Sequence, residues 1–151
     1  MGLVTFVHPA TNCKRHMKKH LVRDWMNTKI LSISPDSTLT EADVTMEARR
    51  IRRLLVVEDG KLVGVLSQGD LREAKAAQNP GAAGPEPKVR DMMSPDPITM
   101  SEHASIALAA QTMLQAKISG LPVVNPDGKL IGLLSESDLF RFVIHIMQEA
   151  D

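Results

Sequence analysis

A strand-turn-strand run occurs twice in this chain, as LLVVEDGKLVGVLSQGDL from Leu54 to Leu71 and as LPVVNPDGKLIGLLSESDL from Leu121 to Leu139. Leu54 and Leu121 lie 67 positions apart and Gly64 and Gly132 lie 68 apart, so the second turn holds one inserted residue. A tandem repeat narrows the possible folds sharply, because whatever supersecondary unit one half adopts the other must adopt too. In both copies an apolar strand ends in a Gly-Lys turn, and a second apolar strand runs through a glycine into Ser-x-x-Asp and a helical pattern.

The parallel extends outward from these runs. VRDWM at 22–26 and VRDMM at 89–93 open the two units, again 67 apart. Each is followed by an extended segment, Lys29 to Ile33 and Asp96 to Met100, which pairs Leu31 with Ile98 and Ser32 with Thr99. Pro97 favours an extended residue before it. Thr38-x-x-Glu41 is a capping-box pattern that starts a helix with Leu39, Ala42, Met46 and Arg49 on one face. The second unit matches it with Ile106, Ala109, Ala110, Met113, Leu114 and Lys117. Strands are expected at Leu54–Val57, Leu62–Leu66, Leu121–Val124 and Leu130–Leu134, each pair closed by a turn at Asp59-Gly60 or Asn125–Gly128. The closing helices differ. Leu71 to Gln78 is short and alanine-rich, whereas Leu139 to Met147 is apolar except for Arg141 and His145. A helix apolar over most of its circumference needs burial on more than one side, so this one is expected to form a homodimer contact.

These elements divide the chain into a basic arm at 1–20, expected to be disordered, a first repeat at 21–78, a Gly/Pro-rich linker at 79–87 and a second repeat at 88–151. A chain of 151 residues can bury a real core. With 3% aromatic residues, no Tyr and nine Met, that core must be aliphatic and methionine-rich. Met46 and Met113, and Met26 and Met93, fall at matching positions, which favours packing over a redox role. Basic and acidic residues number 18 each, but five bases precede the first acid, Asp24, and the remainder carries 13 against 18, or −5. The lone Cys13 excludes an intramolecular disulfide framework. No apolar run reaches the length of a membrane span, and the N-terminus lacks a signal-peptide pattern. A soluble cytoplasmic protein is the expectation.

The order short strand, helix, strand, turn, strand, helix, the repeat of about 67 residues and the junction Gly-h-h-Ser-x-x-Asp, where h is apolar, together resemble a tandem pair of CBS domains, a Bateman module. The resemblance covers residues 21 to 147. VRDWM, VRDMM, the run IRRLLVVEDGKLVGVLS, DLREA and DLFRF look most like the CBS region of acetoin-utilisation-type proteins. Members of that group often carry a C-terminal ACT domain, which is not expected within these residues. The resemblance implies an α/β (α+β) fold of two β-α-β-β-α repeats packed through their sheets as a pseudo-twofold disc. Two clefts would lie between them, holding AMP, ADP, ATP or S-adenosylmethionine as a regulatory ligand. Such modules pass ligand occupancy to a partner protein, here unknown, and are not themselves catalysts. No cofactor is required.

The Ser-x-x-Asp junctions give this implication chemical content. The carboxylates of Asp70 and Asp138 each offer acceptors for the two vicinal hydroxyls of a ribose, while Ser67, Ser135 and free helix N–H groups suit phosphate. Each motif also reads as an ordinary helix start, with Ser as N-cap and an acid in the first turn. The duplication after Gly-h-h favours the ligand role, and the two roles are compatible. Arg53, and less so Arg52, precede a strand where the family often places phosphate-binding bases. Their planar forks suit phosphate, although Arg49, Arg50, Arg52 and Arg53 also read as a solvated basic edge. Ser119 and Gly120 stand at the matching positions of repeat two, so the clefts are expected to be unequal, with the one recruiting Arg53 the better for phosphate. By the resemblance, Leu31, Ser32, Ile98 and Thr99 contact the base; ordinary packing explains their extended, apolar character equally well.

Three further features of the chain point elsewhere only weakly. Cys13, His16 and His20 could converge on a metal were 13–20 helical, but no fourth protein ligand is evident, and no metal site is expected. Five bases without interleaved aromatics make a weak nucleic-acid footprint. No nucleophile and base stand in a catalytic setting, and no P-loop is present. The competing expectation is an adaptor with vestigial clefts that acts through its basic arm or its apolar C-terminal helix.

Overall fold

The computed structural model describes residues 19–81 and 83–151. The first half runs β1 (Ser32–Ile33), α1 (Leu39–Arg49), β2 (Arg53–Glu58), β3 (Lys61–Ser67) and α2 (Gln68–Ala77). A one-turn helix, α3 (Val89–Met92), and β4 (Ser94–Pro95) lead into the second half, which runs β5 (Met100–Ser101), α4 (Ile106–Ala116), β6 (Gly120–Val124), β7 (Leu130–Ser135) and α5 (Glu136–Ala150). Each half is thus the β-α-β-β-α unit expected from the repeat.

Local chemistry sets these boundaries. The Thr38 hydroxyl accepts from the Glu41 N–H while the Glu41 carboxylate accepts from the Thr38 N–H, each at 3.2 Å, closing the capping box at the start of α1. Ser105 caps α4 by accepting from the Leu108 N–H. Both helices end on a left-handed residue, Arg50 and Lys117, 67 positions apart. Asp59 and Gly60 both have positive φ, 52° and 77°, which suits the two-residue turn between the paired Glu58 and Lys61. In the longer second turn the Asn125 side chain accepts from the N–H groups of Asp127 and Lys129.

In each sheet the first strand is parallel to the second, which forms an antiparallel hairpin with the third. The pairing shifts at Val56/Val57 and again at the equivalent Val123/Val124. Alternate residues of the central strands face the helices. Leu54, Val56 and Leu66 join Leu39, Ala42, Met46, Leu71 and Ala74 in one core, and Leu121, Val123 and Leu134 join Met100, Ile106, Ala109 and Met113 in the other. Met46 and Met113 are both buried, as their matched positions predict. Leu114, expected on the buried face of α4, is instead 80% exposed, because it lies one residue and about 100° round the helix from Met113.

The opening segments cross over between the halves. Val22 is fully buried in the core of the second half and Val89 in that of the first. The Val22 N–H donates to the Ala104 carbonyl at 2.9 Å, and the Val89 N–H donates to that of Ser37 at 2.8 Å. Asn27 exchanges two backbone hydrogen bonds with Leu133, both 2.9 Å, while Ser94 and Pro95 pair with Val65 and Gly64. Met93 lies over Gly64, where a Cβ would come within 2.7 Å of its sulfur and 3.0 Å of the Ser94 carbonyl oxygen, and Met26 lies in the same way over Gly132. The glycine in each Gly-h-h-Ser-x-x-Asp run therefore makes room for the crossing chain. Arg90 adds hydrogen bonds to Glu58 at 2.9 Å and Asp36 at 3.2 Å, which hold its pKa above the ordinary guanidinium value, Glu58 contributing most. The reciprocal contacts make the two halves a pseudo-twofold pair.

Candidate ligand cleft between the repeats

One cavity of about 670 Å³ touches both Ser-x-x-Asp junctions and both extended segments. That volume falls within the range of small-molecule sites, about 300–1,000 Å³. The cavity is walled by Lys29, Ile30, Leu31, Pro97 and Ile98 from the segments and by Ile51, Arg53, Leu55, Val65, Ser67, Asp70 and Ser94 around the first sheet. Ile118, Ser119, Gly120, Pro122, Leu133 and Ser135 close it from the second. Where the resemblance implies two clefts, a single continuous space here reaches both halves.

The strand period selects which residues face this space. Leu54, Val56 and Leu66 point into the core, so Arg53, Leu55, Val65 and Ser67 face the cavity, and Arg53 and Ser67 are direct partners across the β2–β3 pair. Arg52 is one residue out of phase and does not line it; its carbonyl instead accepts the Gln68 N–H at 2.8 Å, as that of Ser119 accepts the Glu136 N–H at 3.0 Å. Of the four residues expected at the base, Leu31 and Ile98 line the cavity, and Ser32 and Thr99 do not. Leu31 is 36% exposed and Ile98 49%, an apolar residue from each extended segment left open at the cavity wall.

The two junctions are built alike and connected differently. At the start of α2 the Ser67 N–H donates to Asp70 Oδ2 at 2.7 Å and the Asp70 N–H donates to Ser67 Oγ at 3.1 Å. At the start of α5 the Ser135 N–H and hydroxyl both donate to Asp138 Oδ2, at 2.8 and 2.9 Å, and Arg141 Nη1 donates to Asp138 Oδ1 at 2.7 Å. The helix-start reading of Ser-x-x-Asp thus describes both sites. Asp70 is partly exposed and lines the cavity; Asp138 is 3% exposed and does not, although Ser135 does.

Several lining residues escaped the sequence reading. Lys29 is a second cation at the cavity, and its place in the extended segment just before Leu31 was the available signal. Pro122 and Leu133 follow from the strand alternation once the core face is known, whereas Ile118 lies before β6 and also packs against the second core. Cys13 and His16 lie outside the described residues, as does most of the basic arm, and His20 stands edge-on to Phe142 with ring centroids 5.0 Å apart. No helix among the described residues is long and apolar enough to cross a membrane.

The family description "CBS domain" matches residues 22–77 and 89–145. The uncharacterized protein MJ1225 of Methanocaldococcus jannaschii is 34% identical over 137 residues, covering 82% of this chain and 49% of that protein, so the chain spans about half of that relative. A putative acetoin utilization protein (AcuB) from Vibrio cholerae superposes with a TM-score of 0.75 at 28% identity, covering 89% of this chain and 98% of that one. CBSX2 of Arabidopsis thaliana, crystallised in complex with AMP, gives 0.74 at 28% identity, with 85% and 98% covered. The CBS domain pair of protein MJ0100, in complex with 5′-methylthioadenosine and S-adenosyl-L-methionine, gives 0.67 at 25%, with 82% and 98% covered.

Proposed function

We propose a function from one premise: the chain belongs to the CBS-domain family, as a tandem pair of such domains. On this reading it is a regulatory module of the cytoplasm that binds an adenosine-containing ligand between its repeats and signals occupancy to a partner protein, without chemistry of its own. The observation that carries the reading is the cavity whose wall brings together Asp70, Ser67 and Arg53 with the apolar residues Leu31 and Ile98. A carboxylate for ribose, a hydroxyl and guanidinium for phosphate and an apolar slot for the base match the parts of a nucleotide. The AMP carried by CBSX2 and the S-adenosylmethionine carried by the MJ0100 pair support this ligand class. Among AMP, ADP, ATP and S-adenosylmethionine, Arg53 and Lys29 favour the phosphorylated ligands. Ser135 and Asp138 stand at the equivalent junction of repeat two, and Ser32, Thr99 and Arg52 would enter only with a shift of the segments that carry them.

The same reading takes the protein as a homodimer. Phe140, Val143, Ile144 and Met147 of α5 follow the i, i+3, i+4, i+7 spacing of one helix face, and all four are exposed. This stripe also supports the adaptor alternative, in which it receives a different protein and the clefts are vestigial. A thermal-shift panel of AMP, ADP, ATP, S-adenosylmethionine and NAD tests the sensing reading. Ligand at about a hundred times its Kd stabilises the fold by about 2.7 kcal/mol, which raises Tm by roughly 5–10 °C in a chain of this size. No shift with any adenosyl ligand at millimolar concentration would leave the adaptor as the better account.

A further inference from the structure

We propose that Arg141 is a specificity-determining latch: it occupies Asp138 and closes the repeat-two junction to a ribose, so that the chain takes one adenosine ligand, held at the repeat-one junction. The inference rests on the ligand-sensing reading above and deepens it by assigning stoichiometry and the residue that sets it.

The argument compares two carboxylates at equivalent positions. A ribose cis-diol presents two donors and needs acceptor sites that are free. Asp70 spends Oδ2 on the Ser67 N–H, its Oδ1 accepts no hydrogen bond from the described residues, and its side chain lines the cavity. Asp138 spends Oδ2 twice, on the Ser135 N–H and hydroxyl, and Oδ1 on the guanidinium of Arg141 at 2.7 Å. A charge-assisted bond of that length is among the stronger competitors a neutral sugar hydroxyl can face. The Asp138 side chain is left 4% exposed beneath an Arg141 side chain that is 69% exposed.

The latch has no counterpart in repeat one. Arg141 stands three residues after Asp138, and three residues after Asp70 stands Glu73, exposed and able only to accept. The difference runs in the same direction as the exchange of Arg53 for Gly120, since repeat one has the phosphate cation and the free carboxylate, whereas repeat two has neither. Removing the guanidinium should therefore expose a ribose site that lacks a phosphate grip. That site is best probed with adenosine, which does not depend on Arg53.

Isothermal titration of the full chain with adenosine and AMP reads the outcome. Arg141→Met, which keeps the aliphatic stem, is expected to gain one adenosine site per chain over wild type. Arg141→Lys keeps a cationic donor and should gain none, and adding Asp138→Asn to Arg141→Met should remove the gained site. The converse variant installs the latch: Glu73→Arg should weaken adenosine and AMP at the repeat-one junction by at least about tenfold, while Glu73→Gln changes them by less than about twofold. Two ligands per wild-type chain, or no added site in a folded Arg141→Met protein, overturns the latch. Should Arg141→Met fail to fold, an unchanged affinity in Glu73→Arg overturns it alone. Wild-type protein that binds neither adenosine nor AMP sinks the sensing reading and the latch with it, whereas the other adverse outcomes sink only the latch.

Discussion

Replacing Arg53 with methionine tests the proposed ligand site most directly, because the substitution removes a charge and keeps an aliphatic stem on the cavity wall that Leu55 and Ser67 share. Arg53 is exposed at the cavity wall, so its attraction for a phosphate is partly screened by water and salt. A hydrogen bond to a charged group contributes about 1.5–3 kcal/mol and an exposed ion pair about 0.2–1 kcal/mol, and a half-open site falls between them, at about 1–2 kcal/mol. AMP should therefore bind about fivefold to thirtyfold more weakly to Arg53→Met, at 1.4 kcal/mol per factor of ten. Adenosine has no phosphate and should change by less than about twofold. Titration calorimetry with both ligands, at low and at physiological salt, supplies the comparison, and the wild-type preference for AMP should shrink as salt rises. Equal weakening of AMP and adenosine would mean that Arg53 acts through the structure of β2 rather than on phosphate. An unchanged AMP affinity would place the phosphate elsewhere, with Lys29 the next cation at the cavity.

The remaining predictions concern the scaffold. Gly64→Ala places a Cβ 2.7 Å from the Met93 sulfur and 3.0 Å from the Ser94 carbonyl oxygen, and should cost about 1–3 kcal/mol in urea unfolding as β4 is pushed off β3. A neutral result would show that the crossing segment adjusts freely. Met46→Ala and Met113→Ala should each cost about 2–5 kcal/mol by the same assay, and a large inequality between them would deny the two cores equal weight. Phe140→Glu is expected to convert the proposed dimer to monomer in analytical ultracentrifugation, and a wild-type protein already monomeric at high concentration would remove that interface.

Much of this architecture was legible before any geometry was known. The capping box at Thr38 and the Asp59-Gly60 turn are short-range signals, each governed by residues a few positions apart, and the methionines matched across the repeat mark equivalent packing positions. The crossover of Val22 and Val89 was not legible. VRDWM and VRDMM mark where the units begin but carry no sign of which core receives them, since both cores offer the same aliphatic surface. The glycines that admit Met26 and Met93 could have hinted at a close approach, without naming the approaching chain. At the site, strand alternation separates Arg53 from Arg52 only once Leu54 and Val56 are known to face the core. Asp138 shows the same limit: Ser-x-x-Asp reads identically in the two repeats, and the deciding partner, Arg141, lies three residues beyond the motif.

The position of α5 gives the proposed signal a physical route. The helix follows directly on its N-cap, Ser135, which lines the cavity, and carries its exposed apolar face from Phe140 to Met147, within a length of about 22 Å. A ligand that repositions the Ser135 junction must carry the stripe with it, because a helix of this length moves as a unit over such distances. Movement alone is not a signal, however. A ligand gripped equally in both placements of α5 shifts neither, however tightly it binds. If α5 forms the dimer, linkage makes the requirement measurable: the factor by which AMP changes the dimer dissociation constant must equal the factor by which dimerisation changes AMP affinity, with stoichiometry taken into account. Sedimentation of the wild-type chain with and without AMP gives the first factor, and AMP titration of wild-type and Phe140→Glu proteins gives the second. Agreement at a value well above one is the expected result. If both factors equal one, the ligand and the stripe are uncoupled, and occupancy of the cleft would have to reach a partner through another surface.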